Sequence, residues 1–152
     1  MKNKLLILCV NILLFISSCE NSDYFFRENL SFKGESWAVQ DKIPFQFEIS
    51  DTSKTYKIGF NIRYTNAYPQ QNLYVFLHTV LPDGMHMHDT ISVDLFSIEG
   101  NPLGKGHRVI ELQTYFSRVR FPMMGEYTIT LEQAMRLDTL QGVISMGLCI
   151  RE

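Results

Sequence analysis

The sequence predicts an all-β protein, an antiparallel β-sandwich of about eight strands. Three observations predict it. Segments with apolar residues at every second position recur along the chain, separated by turn residues. Aromatic residues, which favour sheets, are abundant, with 11 Phe, 7 Tyr and 1 Trp in 152 residues. No long helical pattern follows the first residues. The strand order stays open between a jelly-roll-like and an immunoglobulin-like arrangement, with a lipocalin-like barrel as the main alternative.

The first half of the chain contains three clear strand patterns. The segment "PFQFEIS" alternates at Phe45, Phe47 and Ile49. The segment "NLYVFLHTVL" is apolar on both faces, which predicts a strand in the middle of a sheet. Between them, "TYKIGFNIRYT" places its apolar side chains on one face, as in a strand with one buried side: Tyr56, Ile58, Phe60, Ile62 and Tyr64.

The second half begins with a Pro-Asp-Gly turn at 82–84, followed by "MHMHDTISVDLF", in which His86 and His88 fall on the polar face. Three more strand patterns follow, "HRVIELQTYFSRV", "EYTITLEQAMR" and "VISMGLCIRE". The segment "LEQAMR" allows at most one helical turn, in which Glu132 and Arg136 form an i,i+4 pair. On a strand the same two residues share one face, and the block then either fixes the strand end or contacts a partner.

Residues 1–18 have the pattern of a secretory signal peptide. The basic start "MKNK" precedes the apolar run "LLILCVNILLFI", which is shorter than the ~20 residues that span a bilayer. The next residues complete "ISSC", which resembles the bacterial lipobox: an apolar residue and two small residues before an obligatory cysteine. The resemblance implies that Cys19 carries a diacylglycerol on its thiol and becomes the first residue of the mature protein.

Three segments are therefore predicted: a lipoprotein signal peptide at 1–18, a lipidated N-terminus and tether at 19–36, and a single β-sandwich domain at 37–152. Two acyl chains are enough for stable anchoring, so the partner of the N-terminus is a membrane. The leader contains Lys2 and Lys4 and no acid, which leaves a mature chain with a net charge of −4. An acidic balance argues against nucleic acid as a partner.

Cysteine usage excludes an internal disulfide in this interpretation. Cys9 is removed with the leader and Cys19 is acylated, so only Cys149 is left. In the apolar run "VISMGLCIRE", Cys149 is expected to be a small buried side chain rather than a reactive thiol.

His86 and His88 are the candidate metal ligands, because side chains at i and i+2 on a strand point to one side. Cupin jelly rolls use such a pair together with a carboxylate and a later histidine. The segment "PLGKGH", whose last residue is His107, fits the start of the second cupin motif. The remaining pattern is not met, since Ser92 and Val93 stand where the first motif requires a glutamate. We therefore expect no metal and no cofactor, and we test whether these three histidines converge.

A carbohydrate-binding module is the alternative function. Trp37, Tyr68 and Tyr74 are candidates for an aromatic platform that stacks on sugars, with Tyr68 expected to be exposed because it lies in a loop. The competing interpretation is that these rings fill the core of the sandwich. The test is whether Trp37 and Tyr68 form an exposed flat strip.

Several segments in order resemble the GldH family of gliding-motility lipoproteins of Bacteroidetes: "YPQQNLYVFL", "PDGMHMHDTISVDL", "EGNPLGKG" and "FPMMGEYTITLEQAMRLDTLQGVISMGLCI". The resemblance spans Trp37 to Ile150 and includes the leader. It implies a non-enzymatic envelope protein with no catalytic residue and with Cys19 as the lipidated residue. It also implies a place in the outer membrane, at the periplasmic face or the cell surface. The implied partners are other proteins of the gliding and surface-adhesin secretion machinery.

Overall fold

The computed structural model describes residues 24–152, in which the chain forms β-strands and a 3₁₀ turn at Lys33–Glu35. The strands are β1 (Phe26–Ser31), β2 (Ser36–Ala38), β3 (Ile43–Ile49), β4 (Tyr56–Tyr64), β5 (Asn72–Val80), β6 (His86–Asp94), β7 (Ile110–Val119), β8 (Gly125–Gln133), β9 (Thr139–Gln141) and β10 (Val143–Arg151). A first sheet has the order β1-β10-β4-β7, a second has the order β3-β8-β5-β6, and β2 pairs with β9. The predicted antiparallel all-β sandwich is confirmed.

The strands pair as one long folded ribbon. β5 and β6 form the hairpin at its tip, and outward from there β4 pairs with β7, β3 with β8 and β1 with β10. The ribbon winds so that β10 also pairs with β4, and β8 with β5. Two sheets that share such a wound ribbon form a jelly roll. An up-and-down barrel would instead pair each strand with its neighbour along the chain.

The core lies between the two sheets and follows the predicted alternation. On β3 the buried positions alternate with exposed ones, and on β4 the five predicted apolar side chains are buried. β5 lies in the interior of the second sheet, as its two-sided apolar pattern predicted. Aromatic rings fill much of the space, for example Phe47, which stacks on Tyr127 at 6.0 Å and meets Phe121 edge-on at 5.6 Å.

β1 extends the sandwich into residues that the sequence assigned to the tether. Phe26–Ser31 pairs with β10 along its whole length. Phe26 is partly buried, whereas the other five side chains of the strand are exposed. A strand that is held through its backbone at a sheet edge shows no alternation of buried side chains, so the apolar pattern does not mark where the domain begins. The start predicted for the domain at Trp37 has to be moved back to β1.

The short pair β2–β9 forms a clip beside the sheets, built around Trp37. Trp37 is paired with Leu140, and both side chains are fully buried at 0% exposure. The indole Nε1 donates a hydrogen bond of 2.8 Å to the carbonyl oxygen of Asp41, and its ring stacks on Phe32 at 5.1 Å. The single tryptophan thus connects the 3₁₀ turn region, the clip and the start of β3.

Candidate functional site

The outer surface of the second sheet carries aromatic side chains in the middle of β5. Alternation places Leu73, Val75 and Leu77 in the core, so that Tyr74, Phe76 and His78 point outward. Tyr74 is 43% exposed and Phe76 is 40% exposed. We call these three side chains, with the outward-facing side chains of β3, β8 and β6 around them, the aromatic face. Two large exposed rings on an inner strand are the main feature of this face.

A polar chain of four side chains crosses the aromatic face. The Lys42 ammonium lies 2.8 Å from Oε2 of Glu132, and the same oxygen lies 3.2 Å from Nε2 of His78. Nδ1 of His78 lies 2.7 Å from Nδ1 of His88. One imidazole must donate and the other accept in this contact, so at least one of the two nitrogens is unprotonated. The chain ties β8, β5 and β6 together on their outer side.

The Lys42 ammonium, which donates a hydrogen bond to Glu132, holds the pKa of that carboxyl below its ordinary value of 4.5, and His78 acts in the same direction. Because folding lowers this pKa, the contribution to stability is present above the unfolded-state pKa. It is lost as the pH falls through the folded-state pKa.

We therefore expect Glu132→Gln to reduce the free energy of unfolding by about 1 kcal/mol at about pH 7, and to have no such effect at about pH 2. Urea denaturation at the two pH values measures both numbers. The exposed Glu48 lies on the same outer surface and has no ion pair among residues 24–152, so Glu48→Gln is the matched control. A loss of the same size at both pH values would contradict the proposed ion-pair origin.

A shallow groove continues the aromatic face beyond Tyr74. It has a volume of about 400 Å³ and is lined by Gln70, Tyr74 and residues 134–137. Buried Gln133 holds the turn in place, since its Nε2 donates to the Leu137 carbonyl at 2.7 Å and its Oε1 accepts from the Met135 amide at 2.8 Å. The "LEQAMR" block is therefore the end of a strand and a pinned turn, not a helical turn, and it presents its turn residues beside Tyr74.

The outer surface of the second sheet is acidic. Outward positions of the four strands contain four carboxylates and neither Lys nor Arg: Glu48, Asp94, Glu126 and Glu132. Lys42 precedes β3 and neutralises Glu132. This surface therefore has a net negative charge beside the exposed rings of Tyr74 and Phe76.

The histidines predicted as metal ligands are not brought together. His86 and His88 lie on the outer side of the edge strand β6, as predicted, and His107 lies in the exposed loop that precedes β7. Within residues 24–152, no group of three or more His, Cys, Asp or Glu side chains is arranged to hold a metal ion. His88 instead contacts His78. The geometry therefore does not support the cupin-like alternative.

Two of the three aromatic side chains considered as a sugar-binding platform are buried. Trp37 is 0% exposed and Tyr68 is 3% exposed. The expectation that Tyr68 is exposed is wrong, because its ring packs in the core and its hydroxyl donates to the Asn72 carbonyl at 2.8 Å. Tyr74 alone of the three lies on the surface, where it belongs to the aromatic face.

His78 is the residue that sequence reasoning missed. It stands opposite His88 in the β5–β6 hairpin and links that residue to Glu132. The signal was present in the turn, because a hairpin centred on Asp83 places residues 78 and 88 directly opposite each other. Reading "NLYVFLHTVL" only as a buried central strand concealed its outward-facing positions.

Of the two cysteines considered as sites, the structure describes only Cys149. Cys149 is buried as predicted, its Sγ lies 3.7 Å from Nε2 of Gln113, and burial raises the pKa of its thiol. Cys19 lies outside the described residues. Residues 24–152 contain no helix that is long and apolar enough to cross a bilayer.

Comparison with known proteins identifies the family. A family model described as GldH lipoprotein matches residues 24–150. Gliding motility lipoprotein GldH of Flavobacterium johnsoniae is 25% identical over 158 residues, which cover 99% of this chain and 97% of the relative. A protein of Christiangramia forsetii named Gliding motility lipoprotein GldH homolog is 27% identical over 150 residues, which cover 93% of this chain and 90% of the relative.

Solved structures match only in part. The structure of infectious bursal disease virus Gx strain aligns at 12% identity with a TM-score of 0.35, covering 82% of this chain and 29% of the viral chain. The family model, by contrast, covers nearly all described residues, and both curated relatives match along almost their whole length. The chain therefore belongs to the GldH lipoprotein family, and it is a lipid-anchored protein of the cell envelope.

Proposed function

We propose that this protein is a non-enzymatic component or accessory of the gliding-motility and surface-adhesin secretion machinery, held in the outer membrane by acyl chains on Cys19. Its activity is to bind other envelope proteins of that machinery, at the periplasmic face or the cell surface, without a cofactor. Family membership and the names of the two relatives support this proposal. The lipobox-like sequence before Cys19 supports the anchor.

One observation carries the contact role: Tyr74 and Phe76 are exposed in the middle of the second sheet. The other rings of the sandwich mostly lie in its core, so exposed aromatic side chains at this position leave apolar area in water. Tyrosine and other aromatic residues are enriched at the centres of protein interfaces, where they are surrounded by a polar rim. The net negative charge of the aromatic face favours a basic protein surface as the occupant.

Phe76→Glu is expected to abolish the interaction while leaving the protein in the membrane. A charge placed at the centre of an apolar contact is costly to desolvate, and interface centres contribute most of the binding energy. Each variant is expressed in the native host in place of the wild type. Envelope crosslinking then measures which proteins each variant contacts. The amount of adhesin on the cell surface measures whether the variant functions. We expect crosslinked products and surface adhesin to fall at least about tenfold for Phe76→Glu.

Ile98→Glu is the matched control, since Ile98 is 88% exposed in the loop after β6 and undergoes the same change in chemistry. It is expected to behave as wild type. Equal losses for the two variants would contradict a specific aromatic face. A host without the gene that displays adhesin normally, and spreads normally if it glides, would contradict the proposed function as a whole.

A further inference from the structure

We propose that the outer surface of the first sheet is a membrane-docking face, which binds the anionic phospholipid headgroups of the bilayer that holds the acyl chains. The proposal rests on the acylation of Cys19 stated in the proposed function. It assigns the two outer surfaces of the sandwich to different partners, with lipid on one side and protein on the other.

Charge is separated between the two sheets. Outward positions of the first sheet contain five cationic side chains: Arg27, Lys57, Arg63, Arg118 and Arg151. Glu111 is the carboxylate on this surface, and it lies 3.5 Å from Arg27. The second sheet has four carboxylates and no Lys or Arg at the corresponding positions. A predicted mature chain with net negative charge thus places five of its twelve cationic side chains on one surface.

Three of the five cations are neighbours because of strand register. Arg151 of β10 stands opposite Lys57 of β4, and Lys57 stands opposite Arg118 of β7. Lys57 and Arg118 are exposed, and neither takes part in an ion pair with another residue of the described range 24–152. Three adjacent strands therefore present a row of positive charges to the solvent at one end of this sheet.

The N-terminal segment reaches the sandwich on this same surface, through Tyr24. The Tyr24 hydroxyl donates to Oε1 of Gln113 at 2.9 Å. The guanidinium carbons of Arg151 and Arg27 lie 4.2 Å and 4.9 Å from the centre of its ring. These contacts fix the entry point of the tether among the basic side chains.

The length of the tether brings the bilayer close to this surface. Four residues lie between Cys19 and Tyr24, and the five steps along the chain from one to the other span at most about 18 Å. The acylated end of the tether can thus lie no farther from Tyr24 than about two Debye lengths at physiological salt. Each Lys or Arg near an anionic surface adds enough attraction to change binding about fivefold. A short tether together with five cations favours the docked orientation, which turns the acidic aromatic face away from the lipid.

The test measures how fast Lys57 reacts with an amine-specific reagent in the full-length acylated protein. The protein is reconstituted into vesicles of pure phosphatidylcholine or with about 30% phosphatidylglycerol, chosen to give a surface potential of the kind found in cells. Lys42, on the side of the second sheet, is the internal control. We expect the Lys57 rate to fall at least about fivefold in the anionic vesicles and the Lys42 rate to stay constant.

Two variants of equal charge change keep Lys57 as the probe. Arg63→Gln with Arg118→Gln removes two cations from the docking face, whereas Lys33→Gln with Arg136→Gln removes two from elsewhere. The first is expected to lose most of the protection of Lys57, and the second to retain it. Equal Lys57 rates in both kinds of vesicle would overturn the proposal, as would equal losses in both variants.

The mass of the N-terminal peptide separates this proposal from the proposed function. If this mass shows no acyl groups, the proposed anchor is contradicted. The mass is therefore measured before the lysines are labelled. Such a chain is then mixed with the same vesicles at millimolar lipid, and the two lysine rates are compared again. The docking face is thus tested whether or not the anchor is present.

Discussion

Replacing Trp37 by alanine is expected to reduce the free energy of unfolding by about 3–5 kcal/mol, the range for removing a large buried aromatic side chain. The side chain is fully buried, stacks on Phe32 and donates to the Asp41 carbonyl, so the change removes packing and a hydrogen bond together. Folded domains are stable by only about 5–15 kcal/mol, so a large share of the total is at stake. Urea denaturation followed by circular dichroism measures the loss.

Two further variants separate the contributions. Trp37→Phe keeps most of the apolar volume but leaves the Asp41 carbonyl without its donor, and it is expected to cost about 1–3 kcal/mol. Tyr74→Ala removes an exposed ring and is expected to change stability by less than about 1 kcal/mol. If Tyr74→Ala destabilised the protein as much as Trp37→Ala, the assignment of Trp37 to the core and Tyr74 to the surface would be contradicted.

Replacing Cys19 by alanine is expected to move the protein from the membrane fraction to the soluble fraction. Each buried methylene contributes about 0.8 kcal/mol to anchoring, and two acyl chains make it stable, so their loss removes nearly all of the affinity. We expect the membrane-bound share of the protein to fall at least about tenfold after a wash in about 1 M salt. The wash removes electrostatic attraction to the headgroups, because the Debye length at this salt concentration is only about 3 Å. Fractionation of cell envelopes measures this.

Cys149→Ala is the control for the anchor. Cys149 is buried and lies outside the lipobox-like segment, so the variant is expected to stay in the membrane with a modest loss of stability. A Cys19→Ala protein that stays membrane-bound through the salt wash would contradict the anchor and, with it, the proposed localisation.

The sequence predicted those parts of the fold that depend on local pattern. The alternating apolar residues of β3 and β4 were sufficient to identify them, and the two-sided apolar run of β5 gave its interior position. β1 was left outside the predicted domain because five of its six side chains are exposed. The jelly-roll order was left open because pairing between strands far apart in the chain leaves no trace in local periodicity.

The candidate site was predicted less completely. His86 and His88 were placed on the right surface, yet the partner of His88 proved to be His78 on the neighbouring strand. Trp37 and Tyr68 were weighed as exposed rings because composition does not distinguish a buried aromatic residue from a surface one. Their burial depends on backbone carbonyls of Asp41 and Asn72 that satisfy their polar atoms, and such contacts form only in the folded chain.

The pairing of β1 with β10 has a consequence for the timing of folding. The strand next to the tether is completed by the last strand of the chain, so the first sheet cannot close until the C-terminal residues are available. Sandwiches with such non-local pairing fold in milliseconds to seconds. For a chain that crosses a membrane from its N-terminus, residues 26–31 therefore stay unpaired until translocation ends. Any enzyme that modifies the N-terminal segment during this interval therefore meets residues 26–31 before they pair with β10.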